Sequence, residues 1–208
     1  MTAMRIAFLV YPGMTGLDLV GFLDPVVRLR TMGFMPGLSY DICALSDSII
    51  EDDHGLKFAA DKVNEPIIDY DLVFMPGTYY ISTIKNDQSL IAWIKTAGQI
   101  PFKVSVCTGG LLFGKAGFLH GLRATTHPNS LLELESYCST VVRERVVDEG
   151  NVITAGGVTS AIDAGLHVVR RLAGDDVHNK IAIQMDYRTP YLAFKAGEKR
   201  FDSMLNDD

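Results

Sequence analysis

The chain has 208 residues, carries a formal net charge of −6 and is 48% hydrophobic. This size suits one large domain with a substantial core. The acidic balance and the lack of a Lys/Arg run argue against a dedicated nucleic-acid binder. The apolar stretch in the first ten residues is too short for a signal-peptide core or a membrane span. We therefore expect a cytoplasmic protein without a membrane partner.

Short apolar runs alternate with helical patterns along the chain. Such runs are typical of strands that are buried on both faces of a parallel sheet. The predicted elements, in chain order, are a strand at 5–11, a helix at 17–32, a strand at 40–45, a hairpin at 51–58, a strand at 71–75, a helix at 88–98, a strand at 102–106, a helix to about 117, a strand at 123–125, a helix at 129–137, strands at 141–147 and 152–154, and helices at 161–172 and 176–187.

This alternation predicts a single-domain, three-layer α/β/α sandwich with a mostly parallel sheet. We assign residues 1–188 to that domain. Residues 189–208 form a tail that ends in acidic residues, and we expect it either to pack on a partner subunit or to be disordered. In parallel sheets, function collects at the carboxyl ends of the strands.

Cys107 stands where a predicted strand runs into a helix with no loop between them. That junction forces a strained turn and lifts the side chain clear of the sheet, as in the nucleophile elbow of hydrolases. The helix start would stabilise a thiolate, and the amides of Thr108 and Gly109 could bind developing negative charge. The alternative is a buried structural cysteine. Cys43 and Cys138 lack an elbow and are expected to be inert.

Three other junctions carry candidate residues. Asp18 follows the first strand among apolar neighbours, so it is either a buried, protonated acid or an ordinary helix N-terminal Asp. The amides of Gly77 and Thr78 either complete an oxyanion-type pocket or form an ordinary turn. The segment 155–160 (AGGVTS) could bind an anion or line the pocket. No pair of histidines has metal-ligand spacing, so we predict no metal.

Several segments together resemble the ThiJ/PfpI superfamily, which has the flavodoxin-like, class I glutaminase-like fold, and within it the isocyanide hydratase branch. The segments are 16–21 (GLDLVG), 71–77 (DLVFMPG), 105–109 (SVCTG), 116–119 (AGFL), 123–127 (RATTH), 144–151 (ERVVDEGN) and 154–163 (TAGGVTSAID). The resemblance extends from the first strand to about residue 187. It implies a homodimer that acts on a small molecule and needs no cofactor.

The resemblance also implies a set of site residues. The catalytic group is Cys107 as nucleophile, Asp18 as its acid/base partner and Thr108 as the residue after the nucleophile. The substrate or oxyanion pocket consists of Gly77, Thr78, Gly109, Gly156, Val158 and Thr159.

The implied activity is the addition of water to an isocyanide, which gives an N-substituted formamide through a covalent thioimidate. Thr108 stands where protease-like relatives have a catalytic histidine, which disfavours peptidase chemistry. One alternative is a non-catalytic ligand-sensing or redox-sensing protein, and a further one is a glyoxalase or deglycase. Thr78 departs from the Pro-Gly-Gly pattern of the branch, which leaves the oxyanion contact and the substrate open.

Overall fold

The computed structural model describes residues 4–187, so the tail predicted at 189–208 lies outside the described part of the chain. The elements, in chain order, are β1 (Met4–Val10), α1 (Gly16–Thr31), β2 (Leu38–Ala44), β3 (Ile49–Glu51), β4 (Lys57–Ala59), β5 (Lys62–Val63), β6 (Leu72–Met75), α2 (Ile81–Ile84), α3 (Gln88–Lys95), β7 (Phe102–Val106), α4 (Gly109–Ala116), β8 (Arg123–Ala124), α5 (Leu131–Leu134), β9 (Thr140–Val141), β10 (Val146–Asp148), β11 (Val152–Ala155) and α6 (Ser160–Gln184).

Seven strands form the main sheet in the order β10-β11-β7-β6-β1-β2-β5. All neighbouring strands are parallel except β10 and β11, which are antiparallel. Strands β6 and β7 lie side by side, so their carboxyl ends meet at the same edge. This arrangement confirms the predicted α/β class with a mostly parallel sheet. None of the helices within residues 4–187 is long and apolar enough to cross a membrane.

Helix α1 is held close to α6 and to the sheet by small and aromatic residues. A Cβ added at Gly21 would lie 2.9 Å from Ala161 Cβ, and one at Gly165 would lie 2.4 Å from Pro25 Cγ. The Phe22 ring, also on α1, stacks on Phe74 of β6 with 4.2 Å between ring centroids. These contacts fix the start of α1 relative to the end of β6, which places the Asp18 carboxyl beside the following turn.

Some predicted elements are wrong in length. The strand predicted at 141–147 is two strands, because β9 pairs with β8 whereas β10 pairs with β11. Between them lie three consecutive exposed charged residues, which end the pairing: Arg143, Glu144 and Arg145. The helix predicted at 129–137 is a short 3₁₀ turn followed by the four residues of α5.

The two helices predicted at 161–172 and 176–187 form α6, which is kinked at Gly174, where φ is 82°. The hairpin predicted at 51–58 is the antiparallel pair of β3 and β4. Strand β5 and helix α2 have no counterpart among the predicted elements. They have only two and four residues, so they are too short to show a hydrophobic period.

Candidate active site

Cys107 lies between β7 and α4 in a left-handed backbone conformation, with φ at 56°. A non-glycine residue keeps this conformation only where its surroundings hold it. Its amide donates to the carbonyls of Ala155 (3.1 Å) and Gly156 (2.7 Å). Its carbonyl accepts a hydrogen bond of 2.7 Å from Thr126 Oγ1. The backbone therefore has the strained geometry predicted for an elbow.

Asp18 is fully buried near the start of α1. Its Oδ2 accepts a 2.8 Å hydrogen bond from the amide of Gly77, whereas its Oδ1 has no hydrogen-bond partner in the described part of the chain. Burial raises the pKa of Asp18 to about 7, against the lowering effect of the Gly77 amide. The negative charge of Asp53 raises this pKa further, and a contact with the Cys107 thiol lowers it.

The Cys107 thiol is also buried, with 5% of the residue exposed. Burial and, next, the charge of Asp18 raise the pKa of this thiol to about 12, although hydrogen bonds from Thr108 act in the opposite direction. The position of Cys107 at a helix start predicted a stabilised thiolate. Burial and the neighbouring carboxyl act in the opposite direction and raise the pKa of the thiol, so the thiolate stays a prediction.

Thr108 joins the elbow to the turn after β6. Its hydroxyl donates to the carbonyl of Thr78 and accepts from the amide of Thr78, both at 2.8 Å. The side chain of Thr78 donates to the carbonyl of Gly13 at 2.6 Å. The φ of Thr78 is not positive, so threonine in place of glycine does not add the strain of a left-handed backbone conformation.

The glycines next to the thiol are required by close backbone approach. A Cβ at Gly77 would lie 2.6 Å from the amide nitrogen of Thr108 and 2.8 Å from Cys107 Cβ. A Cβ at Gly109 would lie 2.5 Å from the carbonyl oxygen of Met75. The amides of Gly77 and Thr78 are both engaged, with Asp18 and with the Thr108 hydroxyl, so their predicted role in binding an oxyanion stays a prediction.

The last predicted group lies at the start of α6. Gly156 reaches the elbow through its carbonyl, which accepts from the amide of Cys107. Thr159 is the N-cap residue of α6, and its hydroxyl accepts a 3.2 Å hydrogen bond from Arg145. Val158 is half-buried against the core. The structure thus brings Gly156 to the cysteine backbone and gives Val158 and Thr159 contacts elsewhere.

Three residues outside the predicted set act on the site. Tyr11 is buried, donates to the carbonyl of Pro76 at 3.0 Å, and has a pKa raised by burial and then by the charges of Asp18 and other neighbours. Thr126 binds the elbow carbonyl, and Asp53 acts on Asp18. Only Thr126 had a signal, since it lies in the RATTH segment.

Atoms of Asp52, Asp53 and His54 that could bind a cation lie within 4.8 Å of one another. Asp52 Oδ1 already accepts from the amides of His54 and Leu56, at 2.9 and 2.8 Å. Both oxygens of Asp53 are also engaged, with Thr15 and with His54. These bonds account for the cluster without an ion, and the absence of a metal stays a prediction.

A mostly parallel sheet with a cysteine elbow and a buried carboxyl beside it defines an α/β protein with a cysteine-centred site. The family model that matches, over residues 4–171, is that of the DJ-1/PfpI family, and the chain belongs to this family. The expected ThiJ/PfpI relationship is therefore confirmed.

Three known proteins are similar to this chain over most of its length. It is 31% identical over 196 residues to an isonitrile hydratase from Pseudomonas putida, which covers 94% of this chain and 83% of the relative. A crystal structure of a ThiJ/PfpI family protein from Pseudomonas syringae is 30% identical, covers 93% of this chain and 79% of its own, and superposes with a TM-score of 0.80. The structure of DJ-1beta from Drosophila melanogaster, at 17% identity, covers 90% of this chain and 100% of its own, and its TM-score of 0.77 shows the shared fold.

Proposed function

We propose that the chain is a cysteine-dependent hydratase that adds water to an isocyanide and releases an N-substituted formamide. The observation that carries the proposal is the pairing of a buried thiol on an elbow with a buried carboxyl whose pKa is raised to about 7. The similarity to an isonitrile hydratase over 94% of the chain supports it. The reaction needs a nucleophile and a proton carrier, and it needs no cofactor.

In the first half of the reaction, Cys107 Sγ attacks the terminal carbon of the isocyanide. The thiol is a weaker acid than Asp18, so its proton does not leave in advance. It passes to the Asp18 carboxylate only as the C–S bond forms. Asp18 then delivers this proton to the same carbon, which carries the developing negative charge. The product is a thioimidate, R–N=CH–S–Cys107, and no electron transfer is involved.

In the second half, water adds to the thioimidate carbon while Asp18 takes one of its protons. Asp18 passes this proton to the nitrogen, the C–S bond breaks, and the hydroxyl proton of the adduct moves to the sulfur, which restores the thiol. The released product is R–NH–CHO. Asp18 Oδ1, which has no hydrogen-bond partner among residues 4–187, is the oxygen available for these transfers, since Oδ2 accepts from the Gly77 amide.

The redox-sensing alternative is disfavoured by the thiol itself. Sensor cysteines are exposed and have a lowered pKa. Cys107 is buried and its pKa is raised to about 12. The glyoxalase alternative requires a different substrate, and lactate formation from methylglyoxal measures it directly.

The test is turnover of a simple alkyl or aryl isocyanide, followed by formamide absorbance. We expect turnover by the wild-type chain and by a Cys138→Ala control, which removes a half-buried thiol elsewhere. We expect none above background in Cys107→Ala, and a fall of about 10²- to 10⁴-fold in Asp18→Asn. Wild-type activity no greater than that of Cys107→Ala would refute the hydratase proposal.

We also propose that the chain forms a homodimer through the face around the start of α1. Leu17 and Val20 are 55% and 46% exposed, and they lie three residues apart on one side of this helix. Leu56, on the neighbouring hairpin, is also exposed. Light scattering should show a dimer that Leu17→Glu with Val20→Glu weakens. Leu132→Glu, at an exposed leucine on α5, should leave the dimer intact.

A further inference from the structure

Tyr11 is a buried titratable residue that the proposed mechanism does not use. It follows β1 directly and is only 2% exposed. Because β1 lies beside β6 in the sheet, the residues that follow these two strands meet at the same edge. There the Tyr11 hydroxyl donates a 3.0 Å hydrogen bond to the carbonyl of Pro76. Burial raises the pKa of Tyr11 well above its usual value, so the hydroxyl keeps its proton and remains a donor.

The peptide group between Pro76 and Gly77 carries a hydrogen bond at each end. Its carbonyl accepts from Tyr11, and its N–H donates to Asp18 Oδ2 at 2.8 Å. The peptide is trans. In a planar trans peptide the C=O and the N–H point in opposite directions. A donor that fixes the direction of the carbonyl therefore also fixes the direction of the N–H.

Rotation of this peptide is the alternative that the Tyr11 hydroxyl opposes. The φ of Gly77 is not positive in the structure, but glycine also accepts positive φ and would let the peptide turn over. A turned peptide would point the carbonyl oxygen of Pro76 toward Asp18 in place of the N–H, which would disfavour a negative charge on the carboxyl. It would also deprive the carbonyl of its hydrogen bond from Tyr11, and an unmade hydrogen bond in a buried site is costly.

Groups from several elements act on the charge of Asp18. Burial raises the pKa of Asp18 most, and the charge of Asp53, in the turn between β3 and β4, raises it as well. The Gly77 amide lowers this pKa, and the Cys107 thiol, on the elbow, lowers it to a smaller extent. Tyr11, at the end of β1, lies within range of the same charge. The Gly77 amide is therefore the main contact that favours the ionised carboxyl against burial.

We propose that Tyr11 is a positioning residue, which holds the peptide between Pro76 and Gly77 with its N–H toward Asp18 and so favours the ionised form of that carboxyl. Its hydrogen bond to the carbonyl also polarises the peptide, which makes the N–H a stronger donor. Tyr11 acts through this peptide and does not touch the substrate. The inference rests on the proposed function, in which ionised Asp18 accepts the thiol proton, but the ionisation of Asp18 can be observed without any substrate.

The test is an NMR titration of the chain labelled with ¹³C at the aspartate carboxyl carbons. The Asp18 resonance is the one missing from Asp18→Asn. We expect its midpoint to rise by at least about 0.5 pH units in Tyr11→Phe, which keeps the ring and removes the donor. The inflection in kcat/KM should rise with it. The matched control is Tyr40→Phe on β2, whose ring packs on Phe8 with 5.5 Å between centroids, and it should leave the midpoint unchanged.

The direction of the shift separates this role from a merely structural one. If Tyr11→Phe only loosened the site, water would reach Asp18 and its midpoint would fall toward the usual value of 3.8. A midpoint that falls or stays unchanged in Tyr11→Phe would therefore overturn the proposal.

A second variant decides the matter if Tyr11→Phe does not fold. Replacement of Tyr11 by 3-fluorotyrosine keeps the hydroxyl and makes it a stronger donor, so we expect the Asp18 midpoint to fall below that of wild type, with native amide spectra. An unchanged or raised midpoint would contradict the proposal. A raised midpoint in Tyr11→Phe of a chain that does not hydrate isocyanides would uphold the role of Tyr11 and reject the hydratase. Turnover of isocyanides with an unchanged midpoint in Tyr11→Phe would do the opposite.

Discussion

At the scale of single residues, the site consists of two acids that both hold their protons more tightly than usual. The pKa of Cys107 is raised to about 12 and that of Asp18 to about 7, in both cases mainly by burial. In the proposed mechanism the thiol is therefore not activated in advance. It becomes a nucleophile only as Asp18 removes its proton, which ties attack on the substrate to the ionisation of one carboxyl.

This coupling predicts the pH dependence of catalysis. We expect kcat/KM for an isocyanide to rise as the pH increases through about 7 and then to level off, because only ionised Asp18 can accept the thiol proton. Rates measured from pH 5 to 9 check this. Asp18→Asn should remove the inflection together with most of the activity. A rate that falls through the same range would contradict the role of Asp18 as the base.

Gly77 is the residue where the smallest change has a large expected effect. In Gly77→Ala the new methyl group would lie 2.6 Å from the backbone of Thr108 and 2.8 Å from Cys107 Cβ, so the elbow must shift. We expect kcat to fall by about 10²-fold and the unfolding free energy by about 1–3 kcal/mol. Gly98→Ala, where a Cβ would meet open space, is the matched control and should leave both unchanged.

Some of the residues at this site could be predicted from the sequence, and others could not. Cys107 could be predicted because a strand-to-helix junction without a loop is visible in the order of the residues. Asp18 remained one of two equal possibilities until the family resemblance supported it, since burial cannot be read from one acid among leucines. Asp53 and Tyr11 had no signal, because their action on Asp18 depends on how the hairpin and β1 pack around α1.

At the scale of elements, the site is a joint between the turn after β6 and the start of α4. The amide and the carbonyl of Thr78 both bind the side chain of Thr108 across this joint. The flanking strands β6 and β7 were predicted from their apolar runs, because the four buried residues of each show the pattern clearly. The joint itself could not be predicted, since it depends on the register of β6 beside β7.

The joint gives a prediction about stability. Thr108→Val keeps the shape of the side chain but leaves the buried amide and carbonyl of Thr78 without a partner. We expect a loss of about 1–3 kcal/mol in urea unfolding, whereas Thr108→Ser should retain most of the stability. Equal stability of the two variants would show that the hydroxyl does not hold the joint.

At the scale of the whole molecule, the buried carboxyl couples the fold to pH. Asp18 has no exposed surface, and its charged form is disfavoured in the folded chain relative to the unfolded one. A raised pKa in the folded state contributes stability that is present below the unfolded value of 3.8 and is lost as the pH rises to about 7. The site thus destabilises the fold in the pH range where the proposed base is ionised.

Asp18→Asn tests this loss of stability, because the side-chain amide has the same shape as the carboxyl, can still accept a hydrogen bond from Gly77, and does not titrate. Two pKa units correspond to about 2.7 kcal/mol. We therefore expect the unfolding free energy of the variant, relative to that of wild type, to rise by about 2–3 kcal/mol between pH 5 and pH 8. Urea unfolding at both pH values measures the difference, and Asp47→Asn serves as a control that should track the wild type. If the unfolding free energy of the variant, relative to that of wild type, is instead lower at pH 8 than at pH 5, the folded wild-type chain stabilises the charged form of Asp18. The site would then need a different proton carrier.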